Sequence, residues 1–249
     1  HYISAEDSGT GVSDMAIIAE QTRHVTGLSD DPEYGGDPSP TTAYGVYKGI
    51  CAAVDFQLGS DLQGVRIALQ GIGNVGYYLA QYLRNAGAQV FASDVNRRNI
   101  DRAVENLGVI EVGLNDVLSV DVDVLAPCAM GGAINENTID HVKASVIAGA
   151  ANNQLATVAM GDALLAKGIL YAPDYVINAG GIIDVFYQQK GHRSAQEVTE
   201  HVDRIGDTLT SIFQRSQQES RATSTIADVM AEEIFKLPVN KIKRSSQAA

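Results

Sequence analysis

A glycine-rich segment that joins a strand pattern to a helix pattern constrains the fold of this chain more than any other feature. The segment follows the strand pattern at 65–69 and opens a periodic apolar pattern over 74–86. In such a segment the first glycine permits a tight turn, the second lets the backbone approach a pyrophosphate, and the third lets helix and strand pack closely. The helix N-terminus adds unpaired N–H groups and partial positive charge. We therefore predict a dinucleotide site that contains Gly71, Ile72, Gly73, Asn74, Val75 and Gly76.

An acidic residue, Asp94, follows the next strand pattern at 90–93, where folds of this kind bind the adenosine ribose. Its carboxylate can accept hydrogen bonds from the ribose hydroxyls, and its charge would repel the 2′-phosphate of NADP. We therefore expect NAD to be the cofactor. Arg97 and Arg98 lie close enough along the chain to weaken this preference. The alternative is a structural glycine turn without a ligand, which the strand, the spacing and the carboxylate together disfavour.

Strand and helix patterns alternate from residue 65 to residue 177. This alternation predicts an α/β fold, a doubly wound parallel sheet of the Rossmann type with flanking helices. The predicted strands are 65–69, 90–93, 122–125, 146–148, 170–172 and 175–177, and the predicted helices between them are 74–86 and 100–107. Elsewhere we predict a strand at 2–5, helices at 13–25 and 42–56, a loop at 29–40, helices after about residue 194 that include 225–235, and a basic tail at 241–244.

Composition excludes several classes of partner. The formal net charge is −12 and the sequence pI is near 4.7, which argues against nucleic acid and against an anionic membrane surface. No apolar run approaches the ~18 residues of a membrane span, and no signal-peptide pattern is present. Cys51 and Cys128 are too few for a disulfide scaffold and lack metal-ligand spacing. We expect a reduced, cytoplasmic protein without a bound metal.

Five segments, in this order, resemble the Glu/Leu/Phe/Val dehydrogenases, specifically the leucine dehydrogenase branch. They are 2–7, 38–46, 126–129, 149–155 and 171–181. The resemblance implies reversible oxidative deamination, in which hydride passes from the Cα atom of an L-amino acid to C4 of the nicotinamide. Water then hydrolyses the imine to a 2-oxo acid and ammonium. Five ordered segments are far more specific than a glycine motif alone.

The resemblance also implies roles for individual residues. Asp7 would move protons to and from the substrate nitrogen, although without the resemblance a loop or helix-capping carboxylate is the favoured interpretation. Thr42 would contact the nicotinamide amide. The remaining cofactor contacts implied are Cys128, Ala129 and Ala150, which follow strands, and the asparagines Asn152 and Asn178 near the nicotinamide and its ribose. Each of these can otherwise be an ordinary loop residue, and Cys128 reads as a packing residue rather than a nucleophile.

An apolar substrate pocket is implied at Ala5, Ile182 and Val185. Aliphatic, uncharged residues suit leucine, valine or isoleucine and argue against glutamate, which would need a cationic partner. Ile182 and Val185 can alternatively be ordinary core positions. Asp184 departs from the family, whose leucine branch has asparagine there, so we expect it to face solvent or to alter the substrate.

The catalytic lysine of the family, which lies in a glycine-rich segment, has no match, because the surroundings of Lys48 differ from that motif. The chain also begins at His1 rather than at methionine, so we expect a fragment or a chain cut upstream. We assign 1–40 to the end of an N-terminal substrate domain, 41–218 to the NAD-binding domain, and 219–249 to helices that return to the first domain. The full-length family members form homo-oligomers through that first domain.

Two hypotheses about the function of the chain therefore remain open. The chain belongs either to an active branched-chain amino-acid dehydrogenase or to a catalytically incomplete, NAD-binding paralogue or fragment that lacks the lysine. A third class, the 2-hydroxy-acid dehydrogenases, usually places an Arg/His/Glu set after the glycine motif, and no such set is apparent in the sequence.

Overall fold

A six-stranded parallel sheet forms the centre of the fold. The structure is a computed structural model that describes residues 2–7, 9–28, 36–190 and 194–235. The strands are β1 (Arg66–Gln70), β2 (Gln89–Ser93), β3 (Ile110–Glu111), β4 (Val124–Pro127), β5 (Val146–Ile147) and β6 (Leu170–Tyr171). Their order in the sheet is β3-β2-β1-β4-β5-β6. This sheet, with helices on both faces, confirms the predicted Rossmann-type α/β fold.

The described residues form nine helices. They are α1 (Val12–Ala19), α2 (Ser39–Leu58), α3 (Asn74–Asn85), α4 (Arg97–Leu107), α5 (Ala159–Ala166), α6 (Asp174–Ile177), α7 (Gly180–Gln189), α8 (Ala195–Glu219) and α9 (Thr223–Phe235). None of them is at once long and apolar enough to cross a membrane.

The central strand β1 shows why both faces of the sheet are covered. Ile67, Ala68 and Leu69 are all fully buried, as expected for a parallel strand between two helix layers. Ile67 and Leu69 belong to a core cluster with α2, α3 and α8, whereas Ala68 belongs to a second cluster that includes α5. Strand β1 pairs with β2 on one side and β4 on the other, so the chain order reverses there. Doubly wound sheets bind ligands at the carboxyl ends of the strands beside such a reversal.

Several predicted elements differ from the structure. The apolar run 175–177 is a helical turn, not a strand, because Pro173 precedes it and Asp174 accepts a hydrogen bond from the N–H group of Tyr175 at 2.9 Å. The strand predicted at 2–5 is reduced to one parallel bridge between Ser4 and Val25. That bridge removes Val25 from the helix predicted over 13–25, which ends at Ala19.

Other helix and strand boundaries differ by a few residues from those predicted from the sequence. Helix α2 starts at Ser39 and ends at Leu58, where Gly59 adopts a left-handed conformation with φ of 64°. Strand β3 is absent from the sequence prediction, because it has only two residues and both are exposed. Residues 29–35 of the predicted loop lie outside the described residues, and so does the predicted basic tail at 241–244.

Candidate functional site

The glycine turn after β1 has a distinct requirement at each glycine. Gly71 has φ of 97°, and a Cβ atom there would lie 2.8 Å from the Cβ atom of Ala129. A Cβ atom at Gly76 would lie 2.5 Å from the carbonyl oxygen of Gly71. A Cβ atom at Gly73, in contrast, would meet no heavy atom within 4 Å. Gly71 and Gly76 are therefore demanded by the protein's own packing, while Gly73 borders open space.

That open space lies at the N-terminus of α3. No side chain caps this end, and the first helical hydrogen bond runs from the N–H group of Tyr77 to the carbonyl oxygen of Gly73 at 2.9 Å. Outside the helix, no described residue accepts a hydrogen bond from the N–H groups of Gly73, Asn74 or Val75. Helical geometry leaves such first-turn amides without intrahelical partners. Unpaired amides at a helix N-terminus suit an anion such as a pyrophosphate.

Asp94 ties the glycine turn to the end of β2. One carboxylate oxygen, Oδ2, accepts hydrogen bonds from the N–H group of Ile72 at 2.8 Å and from Nδ2 of Asn99 at 3.3 Å. The other, Oδ1, accepts one from the N–H group of Asn96 at 2.7 Å. One amide of the turn, that of Ile72, is thus already used within the protein. A carboxylate offers about four lone-pair positions and three are used here, so Asp94 retains acceptor capacity for about one ribose hydroxyl.

Four further predicted residues lie near the ends of β4 and β5. Nδ2 of Asn178 donates to the carbonyl oxygen of Ala150 at 3.1 Å and to Oδ1 of Asn152 at 2.6 Å. Cys128 directly follows β4, and its N–H group donates to the carbonyl oxygen of Gln70 at 2.8 Å. Burial raises the pKa of the Cys128 thiol to about 11, so it stays protonated near neutral pH. This protonation fits a packing residue better than a nucleophile.

The N-termini of α2 and α7 are packed closely together. A Cβ atom at Gly181 would lie 2.7 Å from Oγ1 of Thr42, and one at Gly180 would clash with the carbonyl oxygen of Thr41. Oγ1 of Thr42 donates to the carbonyl oxygen of Pro38 at 2.9 Å. Because its proton is used in this way, the Thr42 hydroxyl presents lone pairs, which can accept a hydrogen bond from an amide N–H group.

Helix α7 also carries the residues of the predicted apolar pocket. Ile182 is 68% exposed and Val185 is half-buried, so Ile182 is not a core position. Asp184 is only 2% exposed and accepts a hydrogen bond from Oγ1 of Thr41 at 3.2 Å. The expectation that Asp184 faces solvent is therefore wrong, because its carboxylate points inward against the start of α2.

The N-terminal segment that contains Ala5 and Asp7 is attached to the end of α7. Oε1 of Gln188 accepts a hydrogen bond from the N–H group of Gly27 at 3.0 Å, and Val25 in the same segment bridges to Ser4. Ala5 and Asp7 are both exposed. The N–H group of Asp7 donates to Oγ1 of Thr10 at 2.9 Å, and Oγ1 of Thr10 donates to the carbonyl oxygen of Asp7 at 2.9 Å.

Glu6 is a titratable residue of this segment that sequence reasoning missed. Burial, together with the nearby carboxylate of Asp37, raises the pKa of Glu6 to about 7. Its Oε1 atom is buried and has no hydrogen-bond partner among the described residues. The two carboxylates come from segments far apart along the chain, so nothing in the local pattern indicates their proximity.

The parallel sheet, its reversal at β1 and the glycine turn define a Rossmann-type α/β protein. A model of the Glutamate/Leucine/Phenylalanine/Valine dehydrogenase family matches residues 37–100 and 93–248. L-tryptophan dehydrogenase of Nostoc punctiforme is 39% identical over 100% of this chain and 69% of that protein. The chain belongs to the Glu/Leu/Phe/Val dehydrogenase family, within which it lies in the leucine dehydrogenase branch.

Further relatives agree with this placement. Leucine dehydrogenase of Geobacillus stearothermophilus is 46% identical over 93% of this chain, and the match spans 63% of the length of that protein. The crystal structure of L-tryptophan dehydrogenase from Nostoc punctiforme superposes with a TM-score of 0.79 at 37% identity, covering 93% of this chain and 66% of that one. Hetero-hexameric glutamate dehydrogenase from Thermus thermophilus, at 20% identity and a TM-score of 0.68, shares the fold.

Proposed function

We propose that this chain forms the cofactor-binding part of an NAD-dependent dehydrogenase. The reaction is oxidative deamination of a branched-chain L-amino acid, namely leucine, valine or isoleucine, to the 2-oxo acid and ammonium. The observation that carries the proposal is the uncapped N-terminus of α3, with open space at Gly73 and the carboxylate of Asp94 beside the turn. Relatedness to leucine dehydrogenases over 93% of the chain supports the reaction class.

The residues at this edge of the sheet fit a dinucleotide. The amides of Gly73, Asn74 and Val75 bind the pyrophosphate, and Asp94 accepts a hydrogen bond from a hydroxyl of the adenosine ribose. The nicotinamide, when bound, accepts the hydride that leaves the amino-acid Cα atom.

The other end of the cofactor lies along the ends of β4 and β5. Thr42 accepts a hydrogen bond from the nicotinamide amide, while Asn152 and Asn178, already bonded to each other, orient the nicotinamide ribose. The small residues Cys128, Ala129 and Ala150 leave room for the cofactor beside these strand ends.

Asp7 moves the proton of the substrate nitrogen. This role is supported by its exposed carboxylate and by its place in the N-terminal segment, in which the N–H group of Gly27 donates to Gln188 near the end of α7. The Asp7→Asn variant removes the proton acceptor, so kcat should fall by about 10²-fold or more. NAD binding should be unchanged in this variant, and that measurement separates a lost proton acceptor from a misfolded chain. Retention of full kcat would exclude Asp7 from proton transfer.

Ala5, Ile182 and Val185 form the apolar wall for the substrate side chain. The exposure of Ile182 supports a ligand-facing position, since nothing in the described core covers it. Aliphatic lining favours leucine, valine and isoleucine over aromatic amino acids. Tryptophan and phenylalanine are the amino acids for which two of the relatives are named.

For the whole protein we propose a homo-oligomer that assembles through a substrate domain. Residues 1–40 and 219–249 contribute to that domain, and residues 41–218 form the NAD-binding domain.

The experiment is a comparison of NAD binding and NAD reduction. Calorimetric titration of the 249-residue chain with NAD should show one site. The protein that contains the chain should reduce NAD with leucine, valine and isoleucine, and more slowly with phenylalanine. Absence of NAD binding would refute the site. NAD binding without turnover of any of these amino acids would instead support the catalytically incomplete, NAD-binding paralogue.

A further inference from the structure

Arg97 lies beside the proposed adenosine site but is held by two carboxylates. It is the first residue of α4, which follows directly after the turn that contains Asp94. Its Nε atom donates to Oδ1 of Asp101 at 2.7 Å, and its Nη1 atom donates to Oε1 of Glu111 at 2.7 Å. We call these three side chains the Arg97 clamp.

The clamp is located at the carboxyl ends of β2 and β3. Glu111 is the last residue of β3 and is in register with Ala92 of β2, two residues before Asp94. The N–H group of Asn96 bonds to Asp94 at 2.7 Å, and Arg97 comes next. The clamp and the carboxylate proposed to bind the ribose therefore share one edge of the sheet.

We propose that Asp101 and Glu111 determine cofactor choice by withholding Arg97 from the 2′-phosphate of NADP. This inference rests on the proposed dinucleotide site. An arginine at this position is well suited to a phosphate, because its planar guanidinium can donate two parallel hydrogen bonds to it. In the clamp those donors already face carboxylates on two sides. The clamp and Asp94 together carry two net negative charges, which repel a 2′-phosphate while leaving a 2′-hydroxyl unaffected.

Arg98 and Arg102 do not replace Arg97 in this role. The guanidinium of Arg102 lies 3.9 Å from the centre of the Tyr77 ring, stacked against α3. Arg98 is exposed, and its N–H group is bonded at 3.1 Å to the capping side chain of Asn96. Within residues 36–190, no carboxylate lies at ion-pair distance from the Arg98 guanidinium. Arg98 is thus the competing candidate that the experiment must separate from Arg97.

The test compares the affinities of the whole chain for NAD and for NADP by calorimetry at low ionic strength. In Asp101→Asn/Glu111→Gln, the ratio of the NADP to the NAD dissociation constant should fall by about fivefold, the size expected for an exposed ion-pair network. Glu105→Gln is the matched control, because it removes one exposed carboxylate of α4 that forms no ion pair with a described residue. It should change the ratio by less than about 1.5-fold, since solvent and salt screen its charge. Adding Arg97→Gln to the double variant should reverse most of this fall, because it removes the guanidinium that would bind the 2′-phosphate.

Each outcome separates this inference from the proposed function. If the unchanged chain does not bind NAD, the proposed site is wrong and the clamp inference is wrong with it. If NAD binds but the double variant keeps the wild-type ratio, or changes no more than Glu105→Gln does, the clamp does not select the cofactor. The fall in the ratio of the dissociation constants can also persist after Arg97→Gln and disappear after Arg98→Gln. In that case Arg98 rather than Arg97 binds the 2′-phosphate, which also overturns the inference.

Discussion

Replacing single glycines of the turn should separate ligand binding from folding. A Cβ atom at Gly73 would meet no protein atom within 4 Å, and the residue has φ of −66°, which alanine also adopts. Gly73→Ala should therefore leave the free energy of unfolding within about 1 kcal/mol of wild type, since the smaller entropy of the unfolded chain offsets minor strain. The same methyl group would occupy the space that a pyrophosphate needs against the amides. We expect NAD affinity to fall by about 10²-fold, equivalent to about 2.7 kcal/mol.

Gly76→Ala is the matched control for this prediction. Its methyl group would lie 2.5 Å from the carbonyl oxygen of Gly71, a contact that forces helix and strand apart. Overpacking of this kind costs about 1–3 kcal/mol, so the melting temperature should drop by roughly 3–10 °C. Urea denaturation and calorimetric NAD titration of both variants measure the two effects separately. If Gly73→Ala binds NAD as tightly as wild type, the open space at the N-terminus of α3 is not the pyrophosphate site.

Three further variants or conditions have definite expected results. Asp94→Ala should weaken NAD binding and narrow the difference between NAD and NADP, because it removes both the ribose acceptor and the bond to the Ile72 amide; an unchanged preference would exclude Asp94. The Cys128 thiol should react slowly with iodoacetamide at pH 8 and much faster as the pH approaches its pKa of about 11, whereas fast labelling at pH 8 would contradict a buried thiol. The pKa of Glu6 in the folded state is about 7, above its ordinary value of 4.5, so its contribution to stability is present below pH 4.5 and is lost as the pH rises through 7. Glu6→Gln should therefore stabilise the chain at pH 8 more than at pH 5 in urea denaturation, and equal effects at both pH values would show that the Glu6 carboxyl is not perturbed.

Local patterns predicted the parts of the fold that depend on neighbouring residues. The glycine turn and the helix after it are continuous in sequence, and β1 contains the short apolar run 67–69 directly before the turn, so both were predictable. The run at 175–177 was assigned to a strand because three apolar residues do not distinguish strand from helix. The preceding Pro173 and the hydrogen bonds of Asp174 decide the outcome in favour of a helical turn.

Contacts between distant segments could not be predicted in the same way. Strand β3 was not predicted because Ile110 and Glu111 are an exposed pair without periodicity. The ion pair between Arg97 and Glu111 was therefore not predicted either. The Glu6 and Asp37 carboxylates come together only through tertiary packing. The site residues predicted after β4 and β5 came from the resemblance to the dehydrogenase family. Their location agrees with a general rule, since the carboxyl ends of parallel strands meet at one edge of the sheet.

The most direct test of a cofactor at the N-terminus of α3 is an NMR titration of the isotope-labelled chain with NAD. The amide resonances of Gly73, Asn74 and Val75 should shift most, in step with saturation, because these N–H groups exchange water for phosphate oxygens. If NAD binds while these three resonances stay in place and others move, the dinucleotide lies elsewhere on the protein.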